Sequence, residues 1–304
     1  MNILITGGAG FIGKKLVSKL SKKHSVLVID LPSKIKKNRK FLKNCKIISG
    51  DVTDKKIFDN INCNIDVIYH LAALCSTEMS QKHPKKCFKT NVFGTQNIIN
   101  WSLKKKIKQI IFTSSMAVYG KNAPNVKENL KLRPLSIYGK SKFKAEKILL
   151  KQKNKVQINI FRLFNVYGPG QDLNNEYQGM FSIYLKQILD TKNVKIKGDL
   201  NRVRDFVYID DVIKAITSNY QKSLVLNVGT GKPIKVIEVV KIIFKTLKIK
   251  FNNNNIHLLN KHSGDTMISY ANIKKICKLG WKPKYSFTRG AEQTIKMLSN
   301  NKWI

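Results

Sequence analysis

The chain has 304 residues, of which 42% are hydrophobic and 25% are charged, as in a globular protein with an ample core. Its net charge is +39, and lysine supplies 51 of the 57 cationic side chains. Because base-reading and phosphate-clamping surfaces rely on the planar fork of arginine, this charge favours a compositional bias over a nucleic-acid partner. The positive field should still attract diphosphate-bearing ligands.

Cysteine usage and hydropathy indicate the cellular compartment. The five cysteines are odd in number and form no C-x-x-C pair, which predicts free thiols in a reducing compartment. We expect no metal site. No apolar run approaches the roughly eighteen residues needed to cross a bilayer, and the first strand begins at residue 2, which leaves no room for a signal peptide. We therefore expect a cytoplasmic protein without a membrane partner.

The first predicted element is a buried strand that runs into a glycine-rich turn and an amphipathic helix, and it begins MNILITGGAGFIG. Gly7 permits a tight turn, Gly10 lets the backbone approach a pyrophosphate, and Gly13 lets the helix pack closely on the strand. Unpaired N–H groups at the helix start, around Phe11 and Ile12, add donors and a positive dipole end. This order predicts a dinucleotide-binding turn; a glycine-rich turn without a ligand is the alternative.

A second apolar run, residues 25–29, ends on Asp30, about twenty residues after the glycines. A carboxylate at that strand end can accept hydrogen bonds from the ribose hydroxyls of adenosine and would repel a 2′-phosphate. The sequence therefore predicts NAD as the cofactor in preference to NADP. A basic run follows and could offset part of that repulsion. Its members are Lys34, Lys36, Lys37, Arg39 and Lys40.

The third predicted strand, residues 46–49, is followed by Asp51 and Val52. Asp51 can reach the adenine amino group of a cofactor, or it can cap the helical turn that follows. A long helix is predicted over residues 84–105, and Asn91 inside it is a further candidate cofactor contact.

The fourth predicted strand, residues 66–70, ends on His70. A histidine at a strand end is more often packed than catalytic, and we expect the same here. Small residues directly after the strand would let the backbone lie against the cofactor. These candidate cofactor contacts are Leu71, Ala72 and Ala73.

The fifth predicted strand, residues 107–114, opens onto Ser115, and a helix begins near residue 137. Tyr138 and Lys142 are four residues apart and therefore share one face of that helix. A sixth strand is predicted over residues 156–161. Strands that alternate with helices imply an α/β fold, a doubly wound parallel (Rossmann) sheet with right-handed crossovers.

The pattern becomes irregular in the second half of the chain. Short strands at residues 206–208 and 224–228 are expected to return to the main sheet. Residues 1–165 are therefore predicted to form the NAD-binding domain, with returning segments near 206–230. Residues 166–304 are predicted to form mainly a smaller, discontinuous α/β substrate domain at the mouth of the sheet.

Ser115, Tyr138 and Lys142 form a candidate catalytic group. Tyrosine has an unperturbed pKa of about 10 and is a poor base at neutral pH. A neighbouring ammonium, together with the positive nicotinamide ring, would favour the phenolate and lower the pKa of Tyr138. Lys142 can also hold the nicotinamide ribose, and Ser115 can hydrogen-bond the substrate oxygen whose proton moves. A Y-x-x-x-K pair alone is a weak signal, but after a glycine-rich turn and an S-x-x-x-Y-G strand end it indicates catalysis.

Eight strings carry a resemblance that runs from the first strand to the last helix. Together with Asp30 they resemble the extended short-chain dehydrogenase/reductase family, and within it the NAD-dependent nucleotide-sugar epimerases typified by UDP-glucose 4-epimerase. The strings are TGGAGFIG (6–13), HLAA (70–73), SSMAVYG (114–120), YGKSK (138–142), FRLFNVYGPG (161–170), RDFVYIDDV (204–212), NVGTG (227–231) and LGWKP (279–283).

The resemblance implies epimerisation of a nucleotide sugar at C4, of the UDP-glucose/UDP-galactose type, through a transient 4-keto sugar. In the dehydratase branch an Asp-Glu pair usually follows the active-site Ser or Thr, whereas Met116 and Ala117 stand there in this chain. A sugar-nucleotide reductase or decarboxylase on the same scaffold is an alternative, and so is a non-catalytic NAD-binding sensor or scaffold. The family also implies a homodimer through the helices that carry Asn91 and Tyr138.

By motif, the resemblance assigns Asn165 to the sugar or its diphosphate and Arg204 to the diphosphate. The family carries an arginine before a Gly-Asp near the C-terminus, and this chain has His262-Ser263-Gly264-Asp265 there. His262 and Asp265 are therefore candidate substrate contacts, with Lys261 as a candidate point charge in place of the arginine. A lysine often found after the H-x-A-A string is also replaced, around Cys75.

Overall fold

The structure, a computed structural model, describes residues 1–121, 123–177, 179–260 and 266–299. The chain divides into two compact units, and each consists of several segments. The first unit comprises Met1–Val118, Ser136–Arg162 and Ile216–Leu226, and the second comprises Tyr119–Leu135, Leu163–Ala215 and Asn227–Ile304.

The described residues form fifteen strands and eleven α-helices. The strands are β1 (Asn2–Thr6), β2 (Ser25–Asp30), β3 (Lys46–Ser49), β4 (Val67–His70), β5 (Gln109–Ser115), β6 (Ala123–Val126), β7 (Gln157–Leu163), β8 (Asn165–Tyr167), β9 (Val194–Lys197), β10 (Val203–Arg204), β11 (Phe206–Tyr208), β12 (Leu224–Val228), β13 (Ile234–Lys235), β14 (Ile256–Leu259) and β15 (Ile268–Ala271). The α-helices are α1 (Phe11–Leu20), α2 (Pro32–Asn38), α3 (Thr77–Lys82), α4 (Pro84–Phe88), α5 (Gly94–Lys104), α6 (Ile137–Leu150), α7 (Met180–Thr191), α8 (Ile209–Ile216), α9 (Val236–Thr246), α10 (Lys274–Cys277) and α11 (Phe287–Ser299).

The main sheet has seven strands in the order β3-β2-β1-β4-β5-β7-β12. This sheet confirms the predicted doubly wound Rossmann fold. In the middle, β1 pairs in parallel with β2 on one side and β4 on the other, so that Thr6 lies opposite both Ile29 and His70. The strand order reverses between β1 and β4, and the carboxyl ends at such a reversal form the crevice where open α/β sheets bind ligands.

A continuous apolar core holds two helices against the sheet. Parallel strands covered on both faces read as unbroken apolar runs, and every residue of β4 is buried. Ile98 of α5 and Ala145 and Leu149 of α6 belong to the same buried cluster as Leu4 of β1 and Ile110 of β5. Each large apolar side chain in it contributes about 1.5–3 kcal/mol of burial free energy. The core therefore fixes α5 and α6 relative to the strand ends.

Two predictions about individual elements are wrong. The segment β11 does not return to the main sheet but pairs in parallel with β8 in the second unit, because the Asn165 N–H and side-chain amide both donate to the Asp205 carbonyl. The other predicted return, β12, does join the main sheet, beside β7. The single long helix predicted over residues 84–105 is instead α4 and α5 joined by a π-helical segment, Lys89–Phe93, which contains Asn91.

The second unit is organised around aromatic rings. Its sheets have the orders β13-β10-β15-β6, β11-β8 and β14-β9. The Tyr167 ring centroid lies 5.0 Å from that of Phe181 and 5.1 Å from that of Phe287. Gly290 of α11 faces the Tyr167 hydroxyl at a distance that leaves no room for a Cβ. This close approach docks α11 on the cluster.

All five cysteines carry free thiols, as their odd number predicted. In the part of the chain that the structure describes, no helix combines the length and hydropathy that a membrane crossing requires. Among the same residues, no group of three or more His, Cys, Asp or Glu side chains is arranged to hold a metal ion.

A buried ion pair joins α6 to β7. Arg162 donates from Nε to Glu146 Oε1 at 3.0 Å and from Nη2 to Oε2 at 2.7 Å, and the two side chains are only 5% and 2% exposed. Removing one partner of such a pair leaves the other charge in a low-dielectric interior, which costs about 3–5 kcal/mol.

We expect Glu146→Ala to lower the free energy of unfolding by about 3–5 kcal/mol, measured by urea denaturation followed by circular dichroism. The matched control is Glu238→Ala, because Glu238 pairs with Lys241 at 3.3 Å and both side chains are nearly half exposed. Glu238→Ala should lower the free energy of unfolding by less than about 1 kcal/mol. Similar losses of unfolding free energy in the two variants would show that the buried pair contributes no more to stability than the exposed pair.

Candidate active site

The turn between β1 and α1 has the shape that a bound pyrophosphate requires. Gly7 has a φ of +76°, in the left-handed region, and a Cβ there would lie 2.7 Å from the Ala72 nitrogen. A Cβ on Gly13 would overlap the Gly7 carbonyl oxygen, so only glycine lets α1 pack this closely. Gly10 is the N-cap of α1 and supplies no capping side chain, so the first-turn N–H groups face outward as donors for an anion.

Asp30 ends β2 beside this turn, as predicted. Its Oδ2 accepts a hydrogen bond from the Ala9 N–H at 2.9 Å, and its Oδ1 accepts one from the Leu31 N–H at 2.8 Å. Burial raises the pKa of the Asp30 carboxyl, while these two N–H groups and the Lys34 ammonium lower it. Asp30 thus holds the glycine turn in place, and each oxygen keeps a further lone pair for a ribose hydroxyl.

Asp51 and Val52 lie at the same carboxyl edge of the sheet. The Asp51 carboxylate accepts a hydrogen bond from the Thr53 N–H at 2.9 Å and so closes a local turn. The helical turn that follows, Lys55–Asn60, is capped by Asp54, so the capping role considered for Asp51 is wrong. Val52 is 4% exposed, and its carbonyl accepts a hydrogen bond from Asn97 Nδ2 of α5 at 3.0 Å. Val52 therefore helps to anchor the chain after β3 to α5.

The loop after β4 begins directly at the crevice. The Leu71 N–H donates to the Thr6 carbonyl at 3.0 Å, and the Ala72 N–H donates to the Thr6 hydroxyl at 3.4 Å. Leu71 is buried, whereas Ala72 and Ala73 are half-buried. The small side chains that the sequence singled out thus stand at the β1–β4 strand ends.

Asn91 braces the backbone of the site. Its side chain is 1% exposed, and its Oδ1 accepts a hydrogen bond from the Leu74 N–H at 2.8 Å. Its Nδ2 donates to the Leu74 carbonyl at 3.2 Å and to Ser141 Oγ at 2.9 Å. Both amide hydrogens are therefore committed to protein atoms, and the structure places Asn91 as a brace between this loop and α6. Its predicted contact with the cofactor stays a prediction.

Ser115, Tyr138 and Lys142 come together at the carboxyl end of β5. Ser115 is the last residue of β5, and its side chain is hydrogen-bonded to Tyr138 on the first turn of α6. Lys142 follows one turn later and is only 2% exposed. Its Nζ lies 4.2 Å from the centroid of the Phe112 ring, a cation–π distance. The three predicted catalytic side chains therefore form one group.

Burial dominates the electrostatics of this group. Desolvation lowers the pKa of Lys142 to about 8, although Cys75 and Glu146 raise it, so the ammonium stays mostly protonated at neutral pH. Desolvation raises the pKa of Tyr138, Cys75 raises it further, and the hydrogen bond from Ser115 lowers it. In the protein alone, burial therefore governs the pKa of Tyr138, and the lowering expected from Lys142 together with the nicotinamide ring stays a prediction.

His70 is packed rather than catalytic, as expected. Its Nδ1 lies 2.7 Å from the Thr6 hydroxyl, and its Nε2 lies 3.0 Å from the Thr95 hydroxyl. Complete burial, with a smaller contribution from the Lys142 ammonium, lowers the pKa of His70 to about 3. The ring is therefore neutral and fixed between two hydroxyls.

Two residues predicted to contact substrate lie in the second unit. Asn165 Nδ2 donates to the Asp205 carbonyl at 2.8 Å. Arg204 is 4% exposed, and its Nη1 donates to the carbonyls of Val203 at 2.9 Å and Met267 at 3.4 Å. The substrate roles of both residues stay predictions. The other predicted substrate contacts, His262 and Asp265, and the candidate point charge Lys261 lie outside the described residues.

Asp205 was not identified from the sequence, although its carboxylate is the centre of a hydrogen-bond network in the second unit. Its fully buried carboxylate accepts hydrogen bonds from the Thr230 N–H at 2.8 Å, the Thr230 hydroxyl at 2.6 Å, the Gly231 N–H at 2.9 Å and the Ala271 N–H at 3.1 Å. Burial raises the pKa of Asp205, and these four donors lower it. The sequence did contain a signal for this role, because Asp205 directly precedes an apolar strand. Burying a carboxylate there is costly unless backbone donors form hydrogen bonds with it.

The fold and these side chains define a class of protein. A Rossmann sheet with a glycine cradle, a carboxylate on the second strand and a buried Ser–Tyr–Lys group is suited to moving a proton and a hydride at an alcohol carbon with a bound dinucleotide. The chain belongs to the NAD dependent epimerase/dehydratase family, whose family model matches residues 3–229. This membership confirms NAD as the cofactor and the resemblance to nucleotide-sugar epimerases.

Individual relatives extend over the whole chain. A Methanocaldococcus jannaschii protein provisionally named UDP-glucose 4-epimerase is 36% identical over 307 residues, which cover 98% of this chain and 99% of that one. The UDP-glucose 4-epimerase of Thermotoga maritima, solved with UDP-glucose, superposes with a TM-score of 0.90 at 29% identity over 99% of both chains. The UDP-N-acetylglucosamine 4-epimerase of Methanobrevibacter ruminantium, solved with UDP-N-acetylmuramic acid, has a TM-score of 0.89 at 30% identity over 99% of this chain and 98% of that one.

We expect the purified protein to bind NAD more tightly than NADP, and Asp30→Asn to narrow that preference by about tenfold, or about 1.4 kcal/mol. The physical reason is that the charge that repels a 2′-phosphate is removed. Asp66→Asn is the control, because Asp66 also accepts a backbone N–H but lies at the opposite end of β4. Isothermal titration with both dinucleotides measures the ratio. Equal affinities in the unmutated protein would rule out the assigned role of Asp30.

Proposed function

We propose that this enzyme interconverts the C4 epimers of a UDP-sugar of the glucose/galactose type, with NAD regenerated in every cycle. The observation that carries the proposal is the group formed by Ser115, Tyr138 and Lys142 beside the glycine cradle. Met116 and Ala117 follow Ser115, so the positions where a dehydratase would need acid and base side chains are filled by a thioether and a methyl group. Oxidation and reduction at one carbon need only a bound nicotinamide as hydride carrier and the Ser–Tyr–Lys group to move the proton.

The residues present fit NAD. The cradle that Cβ atoms would fill at Gly7 and Gly13 suits the pyrophosphate, and Asp30 suits the adenosine ribose. Asp51, Val52 and the loop Leu71–Ala73 would flank the adenine and the rest of the dinucleotide, and Lys142 would hold the nicotinamide ribose. When bound, NAD supplies a hydride acceptor for the sugar C4 and returns the hydride in the second half of the reaction.

Tyr138 moves the proton in this proposal. Its phenolate oxygen takes the proton of the sugar 4-hydroxyl as C4 is oxidised, and its hydroxyl returns a proton when C4 is reduced. Because burial raises the pKa of Tyr138, the phenolate needs positive charge beside it. The Lys142 ammonium supplies such charge below about pH 8, and the positive nicotinamide ring adds to it. Ser115 orients the sugar oxygen.

We assign different functions to the residues of the two units. The first unit would bind NAD and carry the chemistry; it differs from the predicted domain, residues 1–165, in that Tyr119–Leu135 belongs to the second unit. Asn165, Arg204, His262 and Asp265 would bind the uridine diphosphate, so the keto sugar can turn while its nucleotide stays anchored. A UDP-sugar anchored by its nucleotide would fit the ligand of the Thermotoga enzyme.

We also propose that the protein is a homodimer and that it is located in the cytoplasm. The dimer would form through α6 and the helical segment that contains Asn91. Phe93 at the end of that π-helical segment is 62% exposed, which is unusual for an aromatic ring unless another surface covers it.

We expect Tyr138→Phe to lower kcat by two to three orders of magnitude, the range of general-base contributions, while the affinity for NAD changes little. Tyr220→Phe is the matched control: that ring is also buried in the first unit, packed at a tilt against Phe161, but it lies outside the catalytic group. It should keep turnover within about twofold. If Tyr138→Phe retains activity within about threefold, another group moves the proton.

The substrate is tested by incubating the protein with UDP-glucose, UDP-galactose, their N-acetylated forms and UDP-glucuronate, without added reductant, and resolving the products by NMR. We expect 4-epimers from the glucose/galactose pair. Conversion that requires stoichiometric NADH would indicate a reductase, and loss of carbon dioxide from the uronate would indicate a decarboxylase.

A further inference from the structure

The peptide N–H of Tyr138 is held by a side chain from another helix. The first four N–H groups of an α-helix have no acceptor within the helix. At the start of α6, the Ser136 hydroxyl accepts a hydrogen bond from the Gly139 N–H at 3.0 Å. The neighbouring Tyr138 N–H donates instead to Ser80 Oγ of α3, at 3.2 Å. Ser80 is completely buried, so water cannot replace it in this contact.

Ser80 is oriented as an acceptor. Its hydroxyl donates to the Thr77 carbonyl at 2.7 Å, which uses the one proton of the hydroxyl. The lone pairs of the oxygen are therefore the part of Ser80 that faces Tyr138. The short helix α3 is in turn capped by Ser76, whose hydroxyl accepts a hydrogen bond from the Met79 N–H at 3.1 Å. Ser80 thus links α3 to the backbone of Tyr138, and the Ser76 cap helps to hold the first turn of α3.

The carbonyl of Tyr138 is held on the other side. Ser141 Oγ donates to it at 2.7 Å, a local contact common for serine in helices. Ser141 is itself fixed, because its hydroxyl accepts a hydrogen bond from Asn91 Nδ2 at 2.9 Å and Cys87 Sγ lies 3.5 Å away. Both peptide groups of Tyr138 are therefore fixed by buried side chains, and the contact from Ser80 comes from outside α6.

We propose that Ser80 is a positioning residue for the catalytic tyrosine: its acceptor oxygen fixes the first turn of α6 so that the Tyr138 phenol stays on Ser115 and beside Lys142. The proposal rests on the function assigned above to Tyr138. Without the acceptor, the buried N–H of Tyr138 is unpaired and the first turn of α6 shifts to find a partner. A displacement of about 1 Å at a reacting group can cost about a hundredfold in rate.

The test compares Ser80→Ala with Ser102→Ala. Ser102 is also completely buried on a helix and donates to a backbone carbonyl, that of Ile98, at 2.6 Å, but it contacts no catalytic residue. We expect Ser80→Ala to lower kcat by ten- to a hundredfold with KM and NAD affinity within about twofold, and Ser102→Ala to leave all three within about twofold. Equal effects of the two changes would overturn the proposal.

A double-mutant cycle separates positioning from general weakening of the fold. If Ser80 acts through Tyr138, Ser80→Ala should change the residual turnover of the Tyr138→Phe variant by less than about twofold. Losses that multiply in the double variant would overturn the proposal. If Ser80→Ala does not fold, Ser80→Cys replaces it, because cysteine is nearly the same size as serine and is a weaker acceptor. It is then compared with Ser102→Ala and in the double variant with Tyr138→Phe.

A third readout does not depend on the substrate. In NAD-loaded protein, the tyrosinate absorbance of each variant minus that of its Tyr138→Phe counterpart reports the titration of Tyr138 alone. We expect Ser80→Ala to move this titration to higher pH, because the phenol leaves Ser115 and the Lys142 ammonium, and Ser102→Ala to leave it unchanged. If no UDP-sugar is turned over, the proposed function fails, and this titration alone decides the role of Ser80: an unmoved curve overturns it.

Discussion

The site depends on keeping one ammonium group charged after it has been withdrawn from water. Lys142 is 2% exposed, and burial lowers its pKa to about 8. The π face of Phe112, 4.2 Å from Nζ, compensates part of that cost, and a cation–π contact contributes up to about 2 kcal/mol when it is desolvated. Glu146, one turn further along α6, contributes negative charge. Its own position is fixed by the two hydrogen bonds from Arg162. The ion pair that joins α6 to β7 therefore also helps to keep Lys142 charged.

The rest of the site follows from how parallel strands end. Neighbouring parallel strands run in the same direction, so their carboxyl ends lie at one edge of the sheet. At this edge β1 is followed by the glycine turn, β2 ends in a carboxylate, β4 is followed by an alanine pair and β5 ends in a serine. Helix α6 brings the tyrosine and the lysine to the same edge, held by the core that it shares with α5. Close backbone approach is built in with Gly7 and Gly13, where larger residues would overlap their neighbours. The site is thus made mainly of strand ends and one helix, which are more rigid than long loops.

How far the sequence predicted these features depended on whether they are local. The glycine turn, Asp30 and the Tyr138–Lys142 pair could be predicted because each lies within one strand–turn–helix unit or one helical turn. The partner of β11, the bracing role of Asn91 and the hydrogen bonds of Asp205 could not, because each depends on side chains that are distant in sequence. The burial that raises the pKa of Tyr138 could not be predicted either, since neighbouring charge can be read from spacing but depth of burial cannot.

The central claim is that the sugar is oxidised and reduced at the same carbon, by a hydride that never leaves the protein. UDP-glucose labelled with deuterium at C4 tests it most directly, with the product analysed by NMR and mass spectrometry. We expect the UDP-galactose formed to retain the deuterium at C4, because the hydride that is removed is the one returned. Deuterium released to water, or a product that carries protium at C4, would contradict transient oxidation by a retained cofactor.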